Sequence, residues 1–410
     1  MRKWKSLVMT CAVAGAAFVG MGQAEEVRAE DGADVTATSH KERTTSLEEI
    51  DTSQQLSRFL ITSDYDFTYP DAVRGLYVTG HSAGGEKFDG LIDLISSTSL
   101  NSMVIDVKED YGNITYAPEE GSVYEDIGTT YISDPEAMME RLEQEEIYPI
   151  ARIVVFKDSI LAEERPDLSF QENGEVWTNG GGDAFVNPFE KEVWDYNVEI
   201  AKMAAEMGFK EIQFDYVRFP EGFETRDEDL EYTMGDYADL DMDNTQKRVE
   251  AVTDFVSYAR EELSNYDVDV SVDIFGYAAT IEETPGIGQN FSKISENVDI
   301  ISSMIYPSHW GPYFGLDNPD EEPYALVDEY SQVENDVLGD LDEPPLSRPW
   351  LQDFSAPWLY SGSTFEYGQA EVEAQIEALY ENGIDEFLLW NANNTYTEGV
   401  DYLKGKEEEE

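Results

Sequence analysis

The sequence predicts an α/β fold, a single-domain (β/α)8 TIM barrel behind a disordered acidic N-terminal leader. Three observations predict it. Eight short runs rich in β-branched and aromatic residues recur between positions 73 and 390, and a helix-like segment follows most of them. Regular β-α alternation points to a parallel sheet covered by helices, and eight such units close into one barrel of this size. The alternative is a doubly wound open sheet, which would usually carry a phosphate-binding turn. The glycines at 75, 80, 84 and 85 do not give the dinucleotide fingerprint, and no Walker motif occurs.

The first strand is Val73-Arg74-Gly75-Leu76-Tyr77-Val78-Thr79-Gly80, followed by a short helix over 88–99 with apolar Leu91, Ile92, Leu94 and Ile95. The second is Met103-Val104-Ile105-Asp106-Val107-Lys108, whose alternation puts Asp106, Lys108 and Asp110 on one face. Asp134-Pro135-Glu136 opens a helix with a capping side chain and a proline at the first helical position. The third strand spans 148–156, and a long loop over 157–188 carries Trp177 and Gly180-Gly181-Gly182. A helix over 189–207 closes at Gly208. The fourth strand, 211–219, puts Gln213 and Asp215 on one face and Ile212, Phe214 and Tyr216 on the other. Pro220 stops it, because proline lacks the N–H a ladder needs. An acidic excursion over 221–243 leads to a helix over 245–264. The fifth strand, 268–275, alternates valines with Asp269, Ser271 and Asp273. The sixth, 298–306, runs into Pro307-Ser308-His309-Trp310, with a helix near 323–337 after it. The seventh is Trp350-Leu351-Gln352-Asp353-Phe354, followed by a helix over 365–381 and Gly383. The eighth, 386–390, leads into Asn391, Asn393 and Asn394.

The 88 acidic residues against 26 basic ones leave a formal net charge of −62. That excludes nucleic acid as a partner, because phosphates need Lys and Arg. It also argues against adsorption to an anionic membrane, and suits a surface kept in high salt or at high pH. Residues 1–24 read as a secretory signal peptide: Arg2, Lys3 and Lys5 precede an apolar run over 7–19 and small residues at Gly22 and Ala24. No membrane span is expected after its removal, and the protein is expected to be secreted, extracellular or cell-wall associated. Cys11 lies inside the signal, so neither disulfide nor thiol chemistry is expected. Residues 25–70 form the flexible acidic leader, 71–404 the barrel and 405–410 an acidic tail.

Barrel enzymes place their chemistry at the C-terminal strand ends. The polar residues there are Asp106 and Lys108, Arg152, Asp215 and Arg218, Asp273, Tyr306 and His309, Asp353, and Trp390 with Asn391. One acid at a strand end is ordinary, whereas several interrupting apolar strands at one mouth are hard to explain as packing. Converging carboxylates are what glycosidic cleavage needs: one protonates the leaving oxygen, another attacks the anomeric carbon or activates water. Tyr77, Trp177, Tyr306, Trp310 and Trp390 suit stacking on sugar faces, although each alone reads better as rim packing. No metal and no cofactor is expected. The chain has three His residues without zinc spacing, and no G-x-S-x-G occurs. Asp239, Asp241, Asp243 and Glu250 match a calcium-loop spacing, but Asn244 replaces its glycine, so chance and helix capping explain them better.

Ile105-Asp106-Val107-Lys108, Arg152-Ile153-Val154-Val155-Phe156, Gln213-Phe214-Asp215-Tyr216-Val217-Arg218-Phe219-Pro220, Met304-Ile305-Tyr306-Pro307-Ser308-His309, Arg348-Pro349-Trp350-Leu351-Gln352-Asp353-Phe354 and Leu389-Trp390-Asn391-Ala392 resemble the putative glycosyl hydrolase domain family of secreted bacterial proteins. The resemblance runs in order from about 73 to 403 and implies a barrel distantly similar to the alpha-amylase clan. That clan uses an Asp nucleophile after strand four, a Glu acid/base after strand five and an assisting Asp after strand seven. The resemblance therefore implies catalytic roles for Asp215, Asp273 and Asp353. Substrate binding is expected from Asp106, Lys108, Arg152, Arg218, Tyr306, His309, Trp310, Trp390 and Asn391. This chain departs from the clan at Asp273, which stands for Glu, and at Gln213, which stands for an Arg. Arg218 is expected to supply the missing charge to Asp215 or Asp353. The function expected is hydrolysis of O-glycosidic bonds in a polysaccharide or glycoconjugate. The rival is a non-catalytic carbohydrate-binding or cell-wall-associated barrel. A metal-dependent deacetylase is disfavoured by the lack of grouped His.

Overall fold

The computed structural model describes residues 60–359 and 365–406. The expected signal peptide, the leader up to residue 59 and the tail from residue 407 lie outside the described residues.

Among the described residues, eight parallel strands close a barrel: β1 (Arg74–Val78), β2 (Ser102–Lys108), β3 (Tyr148–Val154), β4 (Glu211–Asp215), β5 (Asp269–Phe275), β6 (Ile300–Met304), β7 (Trp350–Gln352) and β8 (Phe387–Trp390). Neighbours pair in chain order from β1 to β6. Trp350 of β7 meets Met304 of β6, β7 pairs with β8, and β8 returns to β1. A short strand, Leu346–Ser347, lies first beside β6. Pro349, which has no N–H to give, separates it from β7. The helices packed outside are α1 (Lys87–Ser96), α2 (Pro135–Gln144), α3 (Lys191–Met207), α4 (Asn244–Leu263), α5 (Phe291–Ser295), α6 (Pro323–Gly339) and α7 (Gln369–Glu381).

Outward strand residues such as Ile105, Val107, Ile153, Ile212, Phe214 and Val272 are buried in one apolar layer with the helices, as a fully covered parallel sheet requires. The inward faces carry a second apolar cluster, including Tyr77, Val104, Ile150, Tyr306, Trp350 and Leu388. They also carry buried polar side chains: Arg152, Glu211, Gln213, Asp215, Ser271 and Asp273.

Local chemistry sets the element ends. Asp134 caps α2, accepting the Ala137 N–H at 3.0 Å, with Pro135 in the first turn. Gly208 ends α3 at φ 119°, and a Cβ there would stand 2.6 Å from Tyr65 Cδ2. The described end of the leader is thereby packed against the barrel, and Ile61 makes a bridge to Tyr266. The fourth strand is shorter than the sequence suggests. It ends at Asp215, because Tyr216 turns the chain into the left-handed region at φ 52°, four residues before Pro220. The long loop after β3 contains a helix, Ser159–Glu164, and a small hairpin. Asp243 caps α4 through the Gln246 N–H, and Glu250 pairs with Lys293, so two residues of the calcium-like spacing have structural partners.

At the N-terminal end of the barrel Arg348 is fully buried and satisfied on every side. Its Nε donates to Glu386 Oε2 at 2.7 Å, Nη1 to both Glu211 oxygens at 2.8 and 2.7 Å, and Nη2 to the Tyr69 hydroxyl at 2.8 Å. Ser271 Oγ donates to Glu211 Oε1 at 2.6 Å. Replacing Arg348 by Met strands two buried carboxylates, and breaking a buried pair in this way costs about 3–5 kcal/mol. Denaturant unfolding of Arg348→Met is expected to show a loss of that size. An unchanged midpoint would remove the cluster from the forces holding the barrel.

Candidate active site

The C-terminal end of the barrel has its own buried guanidinium. Strand alternation and the β2–β3–β4 register bring Asp106, Arg152 and Asp215 to neighbouring inward positions. Arg152 Nε and Nη2 donate to Asp215 Oδ2 at 2.9 and 2.6 Å, and Nη1 donates to Asp106 Oδ1 at 2.7 Å. Nη2 also reaches Asp110 Oδ1 at 3.3 Å, and the Asp110 side chain is 42% exposed at the mouth. The other Asp106 oxygen accepts the Tyr77 hydroxyl at 2.6 Å. Tyr77 and Trp390 stack with centroids 3.9 Å apart. Arg152 lies 5.5 Å from the Tyr77 ring and 5.3 Å from the Trp390 ring, in cation–π range of both.

Asp215 has a second support from its own backbone. The left-handed turn at Tyr216 aims that residue's N–H back at Asp215 Oδ1, at 2.6 Å. A non-glycine residue held at positive φ costs free energy and recurs where function needs the geometry. On β5, Asp273 Oδ1 accepts the Trp350 indole N–H at 2.7 Å. Burial and then the negative charge of Asp215 raise Asp273 well above the ordinary carboxylate range. Burial also raises Asp106, to about 6. Buried acids raised towards their protonated forms at one mouth supply the proton donors that acid/base chemistry uses.

Six of the expected site residues come together here: Asp106, Arg152, Asp215, Asp273, Tyr306 and Trp390. Tyr306 lies 6.3 Å from Trp390 by ring centroid and 5.3 Å from His309, which is exposed at the rim.

Others are placed differently. The β2 ladder shifts register between Asp106 and Lys108, which turns Lys108 outward. Its ammonium is buried against Asp158 at 2.7 Å and Asn197 at 3.1 Å, away from the carboxylates it was grouped with. Arg218 does not pair with Asp215 or Asp353. The Tyr216 turn carries it to Glu221 at 3.3 Å, between the rings of Tyr216 and Phe275, and Arg152 holds Asp215 instead. Trp310 packs on Tyr313, Phe314 and Tyr330, the last on α6. Asp353 directly follows β7, but both its oxygens are engaged by Thr397, from N–H at 3.0 Å and Oγ1 at 2.6 Å. Asn391 donates to the Asp353 and Thr395 carbonyls, so it too holds the segment after β8. Asp110 and the Trp350 indole were absent from the expected site. Asp110 shares the face of Asp106, a usable signal, whereas the Trp350–Asp273 bond joins residues 77 apart and left no local trace.

The raised Asp273 makes a stability prediction. A carboxyl whose folded-state pKa lies above its unfolded value stabilises fully at low pH, and that contribution is lost as pH rises through the folded value. Melting temperatures of wild type and Asp273→Asn between about pH 4 and about pH 9 should therefore diverge in favour of the variant as pH rises. A gap that does not change with pH would contradict the buried-acid assignment.

The description "Putative glycosyl hydrolase domain" belongs to a family model that matches residues 75–396. No curated protein matches the chain. Among solved structures, a hypothetical protein from Ruminiclostridium thermocellum is 31% identical over 48% of this chain and 96% of its own, with a TM-score of 0.42. The PgaB (BpsB) glycoside hydrolase domain from Bordetella bronchiseptica is 13% identical over 78% of this chain and 94% of its own, with a TM-score of 0.54, a likeness of fold. An alpha-galactosidase from Thermus thermophilus matches 82% of this chain and 60% of its own at 10% identity, with a TM-score of 0.48. With the family model spanning the barrel from β1 past β8, the chain belongs to the putative glycosyl hydrolase domain family.

Proposed function

We propose that the protein is a secreted glycoside hydrolase that cleaves O-glycosidic bonds in a polysaccharide or glycoconjugate through paired carboxylates. The observation that carries this reading is the Arg152 cluster, where Asp215 is held in a fixed pose beside an Asp273 whose environment favours its protonated form. Asp215 acts as the nucleophile, aimed by Arg152 and the Tyr216 N–H. Asp273, with one oxygen engaged by Trp350 and the other available to carry a proton, protonates the leaving oxygen. Tyr306 and Trp390 supply apolar faces for the sugar. The bonds between Asp353 and Thr397 support a different part for that acid, holding the segment after β8 in place. Secretion rests on the charged and then apolar pattern of residues 1–24.

The second reading, a carbohydrate-binding barrel without turnover, draws support from the depth of both acids: Asp215 is 5% exposed and Asp273 1%. Asp215→Asn separates the two. In an enzyme it removes turnover, by about 10³-fold or more, and leaves glycan binding intact. The readout is reducing ends released from a glycan panel. Turnover that survives the substitution would sink the nucleophile assignment.

Two further outcomes follow for the enzyme. Asp273→Asn should lower kcat by about 10²–10⁴-fold, and the wild-type rate should fall as pH rises through the raised Asp273 value, since only the protonated acid donates. The resemblance to the amylase clan carries retention of anomeric configuration with it. NMR of the first-formed product anomer checks this, and an inverted product would recast Asp215 as the general base that activates water.

A further inference from the structure

Beside the mouth lies a cavity of about 390 Å³, lined by Lys157, Asp183, Phe185, Tyr216, Arg218 and Glu221. It adjoins the candidate nucleophile through Tyr216, whose N–H bonds Asp215.

The two cations on this cavity hold their carboxylates more loosely than the ion-paired cations of the interior do. A chain with 88 acids for 26 bases offers most of its buried cations a close carboxylate, and the exception, Lys247, donates to the Ala238 carbonyl at 2.8 Å. Lys108, Arg152, Arg248 and Arg348 have theirs at 2.6–2.8 Å. Arg218 is only 6% exposed and lies 4.7 Å from the rings of both Tyr216 and Phe275. Its carboxylate partner is Glu221, at 3.3 Å and with a side chain 71% exposed. Lys157 reaches Asp183 at 3.6 Å, and that side chain is 36% exposed. Close charge-assisted bonds run at about 2.7–2.9 Å, so both pairs are loose. Taking a guanidinium out of water costs free energy unless its donors are met, and here they are met weakly, on the side that opens into a cavity.

We propose that this cavity is a subsite for a carboxylate-bearing sugar residue of the substrate, with Arg218 and Lys157 as its anion-binding groups. The proposal rests on the glycoside hydrolase reading and adds a substrate class to it, an acidic glycan. A guanidinium fork matches a carboxylate in two parallel bonds, and Lys157 adds a point charge. Glu221 and Asp183 occupy the places of the incoming carboxylate; Glu221, with its side chain 71% exposed, can give way to it, and Asp183 keeps its bond from Asn179 Nδ2 at 3.1 Å. The net negative charge of the chain does not prevent this, because salt screens distant charges beyond about 8 Å while the two cations touch the ligand directly.

The test is calorimetric titration of the full chain with sodium D-glucuronate, D-glucose and inorganic sulfate at matched ionic strength. Glucuronate should bind about tenfold or more tighter than glucose and sulfate, and Arg218→Gln and Lys157→Gln should each weaken it by about tenfold or more. Lys157 stands at the edge of the cavity, so its variant keeps the test valid if the Arg218 variant unfolds. Equal binding of glucose, or binding unmoved by Lys157→Gln in a folded protein, overturns the subsite. Sulfate binding as tight as glucuronate overturns it in favour of a generic oxyanion site. The titration is repeated on Asp215→Asn, where binding should persist. Glucuronate binding without hydrolysis of any acidic glycan would leave the subsite standing and remove the hydrolase reading. Hydrolysis of neutral glycans without glucuronate binding would do the reverse.

Discussion

Pairing inward carboxylates with a buried guanidinium at each end of the barrel is the constraint on which the rest of this structure depends. A closed parallel barrel normally fills its interior with apolar layers. Here the inward positions of β2 to β5 carry acids at both ends, and a buried carboxylate costs several kcal/mol unless it is neutralised and hydrogen-bonded. Arg348 does this for Glu211 and Glu386, and Arg152 for Asp106 and Asp215. The apolar cluster of Tyr77, Val104, Ile150, Tyr306, Trp350 and Leu388 belongs to the same interior. Two of its aromatic members also serve the acids directly, Tyr77 bonding Asp106 and Trp350 bonding Asp273.

Much of this was legible in the sequence because strands alternate. Apolar residues at every second position of the eight runs mark the helix-facing side, and the acids between them must then point inward. Asp106, Arg152, Asp215 and Asp273 follow from that parity alone. It fails where the backbone departs from regular extension. A register shift in β2 moves Lys108 to the outer face, and a left-handed Tyr216 moves Arg218 off the axis of β4. Neither has a composition signal, because a lysine or a tyrosine is unremarkable at either position. Partnerships over long separations were equally silent. Arg348 meets Glu211 across 137 residues, and Thr397 captures Asp353 across 44. Local pattern says which face a residue takes but not who stands opposite.

The charge of the chain bears on both scales. At the surface, 88 acids against 26 bases make most carboxylates solvated and individually dispensable. In the interior the same excess has the opposite effect, because the two guanidiniums inside the barrel each gather more than one acid. Arg152 has three carboxylates within 3.3 Å and Arg348 has two within 2.8 Å. A base so surrounded cannot be exchanged for lysine without losing bonds, since one ammonium cannot reproduce the geometry of a planar fork.

The two ends differ in one respect, and that difference separates a structural cluster from a candidate site. Around Arg348 the charges are enclosed: Glu211 is fully buried, Glu386 nearly so, and Tyr69 covers the remaining donor. Around Arg152 one partner, Asp110, stands half in solvent, and Asp273 sits close enough to Asp215 for its proton affinity to be raised by that charge. An enclosed cluster has no spare valence and can only stabilise. An open one can exchange a partner with something that enters, and Asp110 stands at that opening. One device, a guanidinium among inward acids, thus closes the barrel below and, through Asp110, stays accessible above.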